Sequence, residues 1–195
     1  MDKLSTKDTI IILGDSPFLT IIETKISYVL DKFFSIGINR VINKFCTSYH
    51  ICADEKIIPV ANTHPMIPTV SLYRHGDMIR KDRKELIDTY PFNFNRDTER
   101  DIIKGNKLAW CGFTHDYAIS YCICKGWKNV ILIGAADFTE GRHYSNTDKF
   151  SPSAKLVEQS KRFIEEICTQ RINIYTCNPY SKLKVPQIDI DDLLK

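Results

Sequence analysis

The strongest constraint on this chain is a pair of short, uniformly apolar runs, each closed by a glycine. They are Thr9-Ile10-Ile11-Ile12-Leu13 before Gly14 and Asn129-Val130-Ile131-Leu132-Ile133 before Gly134. Runs this short, rich in β-branched residues and bounded by turn residues, read as strands buried on both faces. Such strands need helices above and below them, which is the arrangement of a mainly parallel α/β sheet. Amphipathic stretches occur where that arrangement requires them. Leu19, Ile22, Ile26, Val29 and Leu30 recur at helical spacing. A second helix is expected over residues 115–124, opened by Thr114 and ended by Gly126, and a longer one over 153–169. Further strands are expected at 33–36, 49–53, 69–73 and 173–177, a helical turn or two at 40–45, and a terminal helix at 188–194. Residues 88–101, polar and charged, read as a loop. The expectation is one α/β domain over residues 1–195, a doubly wound, mainly parallel, Rossmann-like sheet with helices on both faces. It carries an irregular insertion around 55–107 and a short lid around 138–152.

Composition narrows the class further. Of 195 residues, 43% are hydrophobic and 26% charged, which excludes wholesale disorder. The formal charge of +3 is too small and too scattered for a nucleic-acid binder. The densest basic cluster, Arg80, Lys81, Arg83 and Lys84, is interleaved with Asp82 and Glu85 and reads as a solvated face, with contact to an acceptor or a phosphate-rich partner as the lesser alternative. Seven cysteines form an odd set without paired C-x-x-C spacing, so neither a disulfide framework nor a structural zinc site is indicated. Reduced thiols within apolar runs, no run of about 20 apolar residues and no signal-like N-terminus point to a cytoplasmic protein without a transmembrane segment.

In parallel sheets the ligand lies at the carboxyl ends of the strands, near the point where strand order reverses. The residues there define the candidate site. Gly14-Asp15-Ser16-Pro17 joins a strand to a helix, an arrangement that offers backbone N–H groups to an anion; it is equally a plain turn with Ser16 as cap. It matches neither G-x-G-x-x-G nor a P-loop, which removes the main support for NAD chemistry and ordinary ATP hydrolysis. Asn39 and Asp54 each follow a strand, as ligand-binding or capping residues. Thr114 opens a helix and has a hydroxyl to offer a phosphate. Gly134-Ala135-Ala136-Asp137 leaves room for a ligand with a carboxyl at its mouth, and His143 follows on a loop, either as a proton acceptor or without a role. His50, His64 and His75 show no ligand-like spacing.

Gly14-Asp15-Ser16-Pro17-Phe18-Leu19 resembles the glycine-proline loop of bacterial CMP-sialic-acid-dependent sialyltransferases and of the related motility-accessory-factor and 6-hydroxymethylpterin pyrophosphokinase-like proteins. The order Thr114, Tyr117, Gly126, Lys128, Val130–Gly134, Asp137-Phe138, then Ile174–Cys177 and Asn178-Pro179-Tyr180-Ser181, is similar as well. The resemblance implies a glycosyltransferase moving a sugar from a nucleotide-sugar, a CMP-sugar, to a hydroxyl acceptor. Gly14, Asp15, Ser16, Asn39, Thr114 and Gly134 to Asp137 would then meet the nucleotide, joined by Asp54 on the reading of its place after a strand, and His143 would be the general base; no metal is required. The alternatives are a Mg-dependent pyrophosphokinase-like enzyme, with Asp15, Asp54 and Asp137 around the ion, and a non-catalytic nucleotide-binding or interaction module.

Overall fold

The computed structural model describes residues 4–80, 82–138, 141–142, 149–150 and 152–195. In chain order the elements begin with β1 (Thr9–Leu13), α1 (Leu19–Lys32), β2 (Phe34–Ile38), β3 (Tyr49–Cys52), α2 (Ile58–Thr63), β4 (Thr69–Leu72) and β5 (Lys84–Pro91). They continue with β6 (Ile103–Lys104), β7 (Lys107–Trp110), α3 (Thr114–Cys124), β8 (Asn129–Ile133), β9 (Gly141–Arg142) and β10 (Lys149–Phe150). The last are α4 (Ala154–Arg162), β11 (Asn173–Thr176) and α5 (Ile190–Leu194).

Nine strands form one sheet in the order β11-β8-β1-β2-β3-β4-β5-β7-β6. Every neighbouring pair is parallel except β6 with β7. The two short strands β9 and β10 pair separately. The chain steps outward from β1 to β5, then returns across the sheet to place β8 on the other side of β1, so strand order reverses between β1 and β8. The doubly wound, Rossmann-like sheet expected from the sequence needs correction in shape: this mostly parallel sheet curls into an open half-barrel. Neighbouring strands twist by about 20–25° with a fixed hand, and over nine strands that twist accumulates into curvature.

The two faces of β1 divide the core. Ile10 and Ile12 pack with Val130, Leu132 and the α3 residues Tyr117, Ala118, Ile119 and Cys122. Ile11 and Leu13 pack with Ile131, Ile133, the α1 residues Leu19, Ile22, Ile26 and Val29, and Ile190 and Leu193 of α5. Burial on both faces is what the uninterrupted apolar runs required.

Other expectations shift in detail. The region taken as loop from residue 88 contains the end of β5, which runs Lys84–Pro91 and joins β4 to β7 within the sheet. Its burial is partial, only Ile87 being fully buried, so its sequence lacks the apolar signature of β1. The long helix expected over 153–169 is α-helical only to Arg162, then passes through a π turn, Phe163–Ile167, and a 3-10 turn, Cys168–Gln170. Phe163, Ile164 and Cys168 are thereby buried in the same core as α3. All seven cysteines are free thiols. Among the described residues no helix is long and apolar enough to cross a membrane.

Candidate functional site

A cavity of about 630 Å³ opens at the carboxyl edge of the parallel strands. It is lined from the ends of six strands: Asp15–Pro17 after β1, Asn39 after β2, Ala53–Glu55 after β3, Arg74 after β4, Trp110 at the end of β7 with Gly112–His115 beyond it, and Gly134–Phe138 after β8. In a flat sheet β7, five strands from β1, would stand about 24 Å away at the usual spacing. Curling of the sheet, with α3 packed against β7, β1 and β2, brings its opening turn back to the β1–β8 junction.

The junction rests on two glycines. A Cβ on Gly14 would lie 2.3 Å from the carbonyl oxygen of Gly134 and 2.6 Å from Cα of Ala135, so only glycine permits the β1 and β8 ends to approach this closely. The Gly14 N–H donates to Ile133 O (2.9 Å) and the Ser16 N–H to Gly134 O (3.0 Å). Ser16 Oγ accepts from Phe18 N–H. Gly14 therefore holds the strand ends together from behind. Two of the N–H groups expected to face an anion are already engaged, and the loop contributes Asp15, Ser16 and Pro17 to the wall.

Three non-glycine residues among those described have left-handed backbones: Asn39 (φ 55°), Ala136 (φ 55°) and Phe138 (φ 53°). All three line the cavity. Such conformations cost of order 1–3 kcal/mol each and persist where the surroundings impose them. At Asn39 the restraint is visible: His50 Nε2 pairs with its carbonyl oxygen at 2.8 Å, and Thr114 Oγ1 donates to its side-chain oxygen at 3.3 Å. These two residues, 75 positions apart, are thus joined inside the cavity.

Thr114 is the first residue of α3 rather than its cap. The capping is done by Asp116, whose Oδ2 accepts from the N–H groups of Phe113 (3.1 Å) and Cys111 (3.2 Å). Asp54 is exposed at the rim and caps a 3-10 turn, accepting from Lys56 N–H at 2.9 Å. Both the capping and the cavity-lining readings of Asp54 therefore coexist.

Asp137 is the least satisfied group present. It is 3% exposed, lines the cavity, and neither carboxyl oxygen has a hydrogen-bond partner among the described residues. Burial pushes its pKa up to about 6; Ser16 and Asn178 lie near enough to ease the charge but do not complete a hydrogen bond. The Asn178 side-chain nitrogen is also buried and unpaired.

Two further residues that nothing local in the sequence marks belong to the site. Arg74 is the cation lining the cavity among the described residues. Its Nε donates to His75 Nε2 (3.2 Å); His75 Nδ1 pairs with Ser71 Oγ (3.1 Å), which donates to Cys52 O (2.8 Å). Burial, then the Arg74 charge, holds the His75 pKa below its ordinary value, which keeps Nε2 available as an acceptor. His115, beside Thr114, stacks on Phe113 and stands edge-on to Phe138. His143 lies outside the described residues, as does most of the expected lid. Asp15, Asp54 and Asp137 share the cavity wall, yet among the described residues no group of three or more His, Cys, Asp or Glu side chains is arranged to hold a metal ion.

No protein-family model matches the sequence, and no curated protein matches it. A solved structure of similar fold is the Maf glycosyltransferase from Magnetospirillum magneticum AMB-1, with a TM-score of 0.65 and 12% identity over 94% of this chain. The matched region is 34% of that protein, so this chain spans about a third of its length. At this identity the likeness is one of fold.

Proposed function

We propose that this protein binds a nucleotide-activated sugar, a CMP-sugar, in the strand-end cavity and transfers the sugar to a hydroxyl acceptor. The observation that carries the reading is the convergence of Asp15, Ser16, Asn39, Asp54, Thr114, Gly134 and Asp137 on one cavity of about 630 Å³. That volume is within the range of small-ligand sites. The fold shared with a glycosyltransferase supports the reaction class.

In this reading the phosphate is drawn to the two electropositive features of the wall, the Arg74 guanidinium and the N-terminal turn of α3. His75 fixes Arg74 through Nε, which leaves the η nitrogens to face an anion. Asp137 and Asn178 then satisfy their unpaired side-chain atoms against hydroxyl or amine groups of the nucleotide. The Asn39–Thr114 pair sets the width of the cavity between them. The leaving nucleotide phosphate departs toward the same positive features, which stabilise the charge it gains.

The test is a thermal-shift and calorimetric panel of CMP, UMP, ATP, CMP-sialic acid and UDP-sugars, with and without EDTA. CMP-sialic acid at 100 times its Kd should stabilise the protein by about 2.7 kcal/mol, or roughly 5–11 °C in Tm. Arg74→Gln should weaken that binding about 10-fold while leaving the unliganded Tm within about 2 °C, since Arg74 is exposed. A preference for ATP with Mg²⁺-dependent turnover would instead favour pyrophosphoryl transfer, and binding without turnover a non-catalytic module.

A further inference from the structure

We propose that His115, Ser160 and Asp116 form a proton relay, in which His115 meets the acceptor hydroxyl and Asp116 receives its proton as the sugar is transferred. The inference rests on the nucleotide-sugar reading of the cavity and assigns that site its base.

The three side chains form a continuous line from the cavity into the core. His115 belongs to the cavity wall, and its Nε2 lies 3.0 Å from Ser160 Oγ on α4. Ser160 Oγ hydrogen-bonds in turn to Asp116 Oδ1. Ser160 and Asp116 are wholly buried, and His115 is 6% exposed. Helix capping does not account for the whole arrangement. The cap is complete with Asp116 Oδ2 alone, which takes the Cys111 and Phe113 N–H groups. Oδ1 is turned instead to a serine 44 residues away, and that serine to a histidine of the cavity wall.

The line is satisfied in two polarities. In the first, His115 Nε2–H donates to Ser160 Oγ, Ser160 O–H donates to the Asp116 carboxylate, and Nδ1 is an open acceptor. In the second, Asp116 O–H donates to Ser160, Ser160 donates to Nε2, and the ring proton sits on Nδ1. Passage from the first to the second requires one proton to enter at Nδ1. That proton comes from the acceptor hydroxyl. The Nε2 proton moves to Ser160, and the Ser160 proton moves to Asp116 Oδ1. The acceptor oxygen forms its bond to the anomeric carbon, whose bond to the nucleotide phosphate oxygen breaks, and the phosphate keeps that electron pair. Histidine and serine end neutral, as they began, and Asp116 alone has gained a proton.

The surroundings explain why a relay serves better than an isolated histidine. Burial between Phe113 and Phe138 lowers the His115 pKa to about 3, so an imidazolium is a poor resting place for a proton. Burial raises Asp116 to about 7 in spite of opposing hydrogen bonds from Ser160 and the two backbone N–H groups. Among the described residues, the other titratable groups facing Asp116 are the thiols of Cys111 and Cys168, both raised by burial and neutral at physiological pH. An acceptor of this strength is matched to neutral solution.

The experiment follows CMP release from CMP-sialic acid, with water as acceptor, in the full chain and in His115→Gln, Ser160→Ala, Asp116→Asn and His143→Ala. Calorimetry of CMP-sialic acid on each variant serves as the folding control. The relay requires kcat to fall about 10²–10³-fold in each of the first three variants, with donor affinity held within about threefold. It also requires the parental rate to fall on the acid side near pH 7, and that acid limb to be absent from the residual activity of Asp116→Asn. Parental kcat in His115→Gln or Asp116→Asn overturns it, as does an acid limb unchanged by Asp116→Asn, a loss confined to His143→Ala, or a parent that binds the donor without releasing CMP. Failure of the parent to bind the donor overturns the nucleotide-sugar reading itself, a result separable from all of these.

Discussion

Asp137→Asn should make the ligand-free protein more stable at pH 8 and at the same time weaken the nucleotide binding proposed for the cavity. The folded-state pKa of Asp137, about 6, lies above the ordinary 3.8 because the carboxylate is buried without partners. A gap of that size corresponds to about 3 kcal/mol, at 1.36 kcal/mol for each tenfold change. Because the folded-state value is the higher one, the unfolded chain ionises first as pH rises. The penalty is absent below about pH 4, grows between 4 and 6, and is complete above about 6. Asparagine carries no charge and escapes it. Thermal melts should therefore show the variant ahead by roughly 6–12 °C at pH 8, by about half as much at pH 5, and level with the parent near pH 3.5. Calorimetry at pH 8 should show CMP-sialic acid bound 10- to 100-fold more weakly, because one acceptor becomes a donor where the ligand must supply donors. Equal melts at pH 8 would mean that the carboxylate is already compensated, and Asp137 would lose its place at the centre of the site. A stability gain coupled to a binding loss is the mark of a group retained for function.

Gly14→Ala should be strongly destabilising for the addition of one methyl group. The added Cβ would lie 2.3 and 2.6 Å from backbone atoms of Gly134 and Ala135, which no side-chain rotation relieves. The β1 and β8 ends would have to part, and the Gly14–Ile133 and Ser16–Gly134 hydrogen bonds with them. Overpacking plus two lost hydrogen bonds amounts to about 3–5 kcal/mol, or a fall in Tm of roughly 6–20 °C. Gly134→Ala provides the contrast. Its Cβ would meet Leu19 Cδ2 at 2.7 Å and Cγ at 2.9 Å, a side chain rather than backbone, with an added cost for φ of +62°. Crowding and the left-handed backbone together cost about 2–6 kcal/mol, but through a side chain and a backbone angle rather than by parting the strand ends. Denaturant midpoints check the Gly14→Ala loss, and a fall of less than about 1 kcal/mol would remove the strand-end contact from its central role. CMP-sialic acid binding should also weaken in Gly14→Ala, since Asp15 and Ser16 are carried on one strand end and Asp137 on the other.

What the sequence determined by itself is the layout near the middle of the sheet. β1 and β8 announce themselves because a strand buried on both faces must be apolar throughout, and TIIIL and NVILI are. The same logic made α1 legible through Leu19, Ile22, Ile26 and Val29, and located the strand ends where Asp15, Asn39, Asp54 and Asp137 meet the cavity. β5 was not legible, because its charges look like those of a loop until their partners are in place. Glu85 takes Tyr121 and Lys125, Asp88 takes Lys107, and Lys84 donates to the Gly76 and Ile79 carbonyls. Those partners come from α3, from β7 and from the turn after β4, and no local pattern reveals them. Only the tertiary structure decided that Gly14 faces β8 rather than a ligand, that Thr114 meets Asn39, and that His115, Asp116 and Ser160 stand in one line. Helical and strand periodicity is a property of neighbours in sequence, and burial imprints it there. Sheet curvature and the pairing of polar groups depend on residues dozens of positions apart, whose contacts exist only after the sheet has curled and α3 has been laid across it.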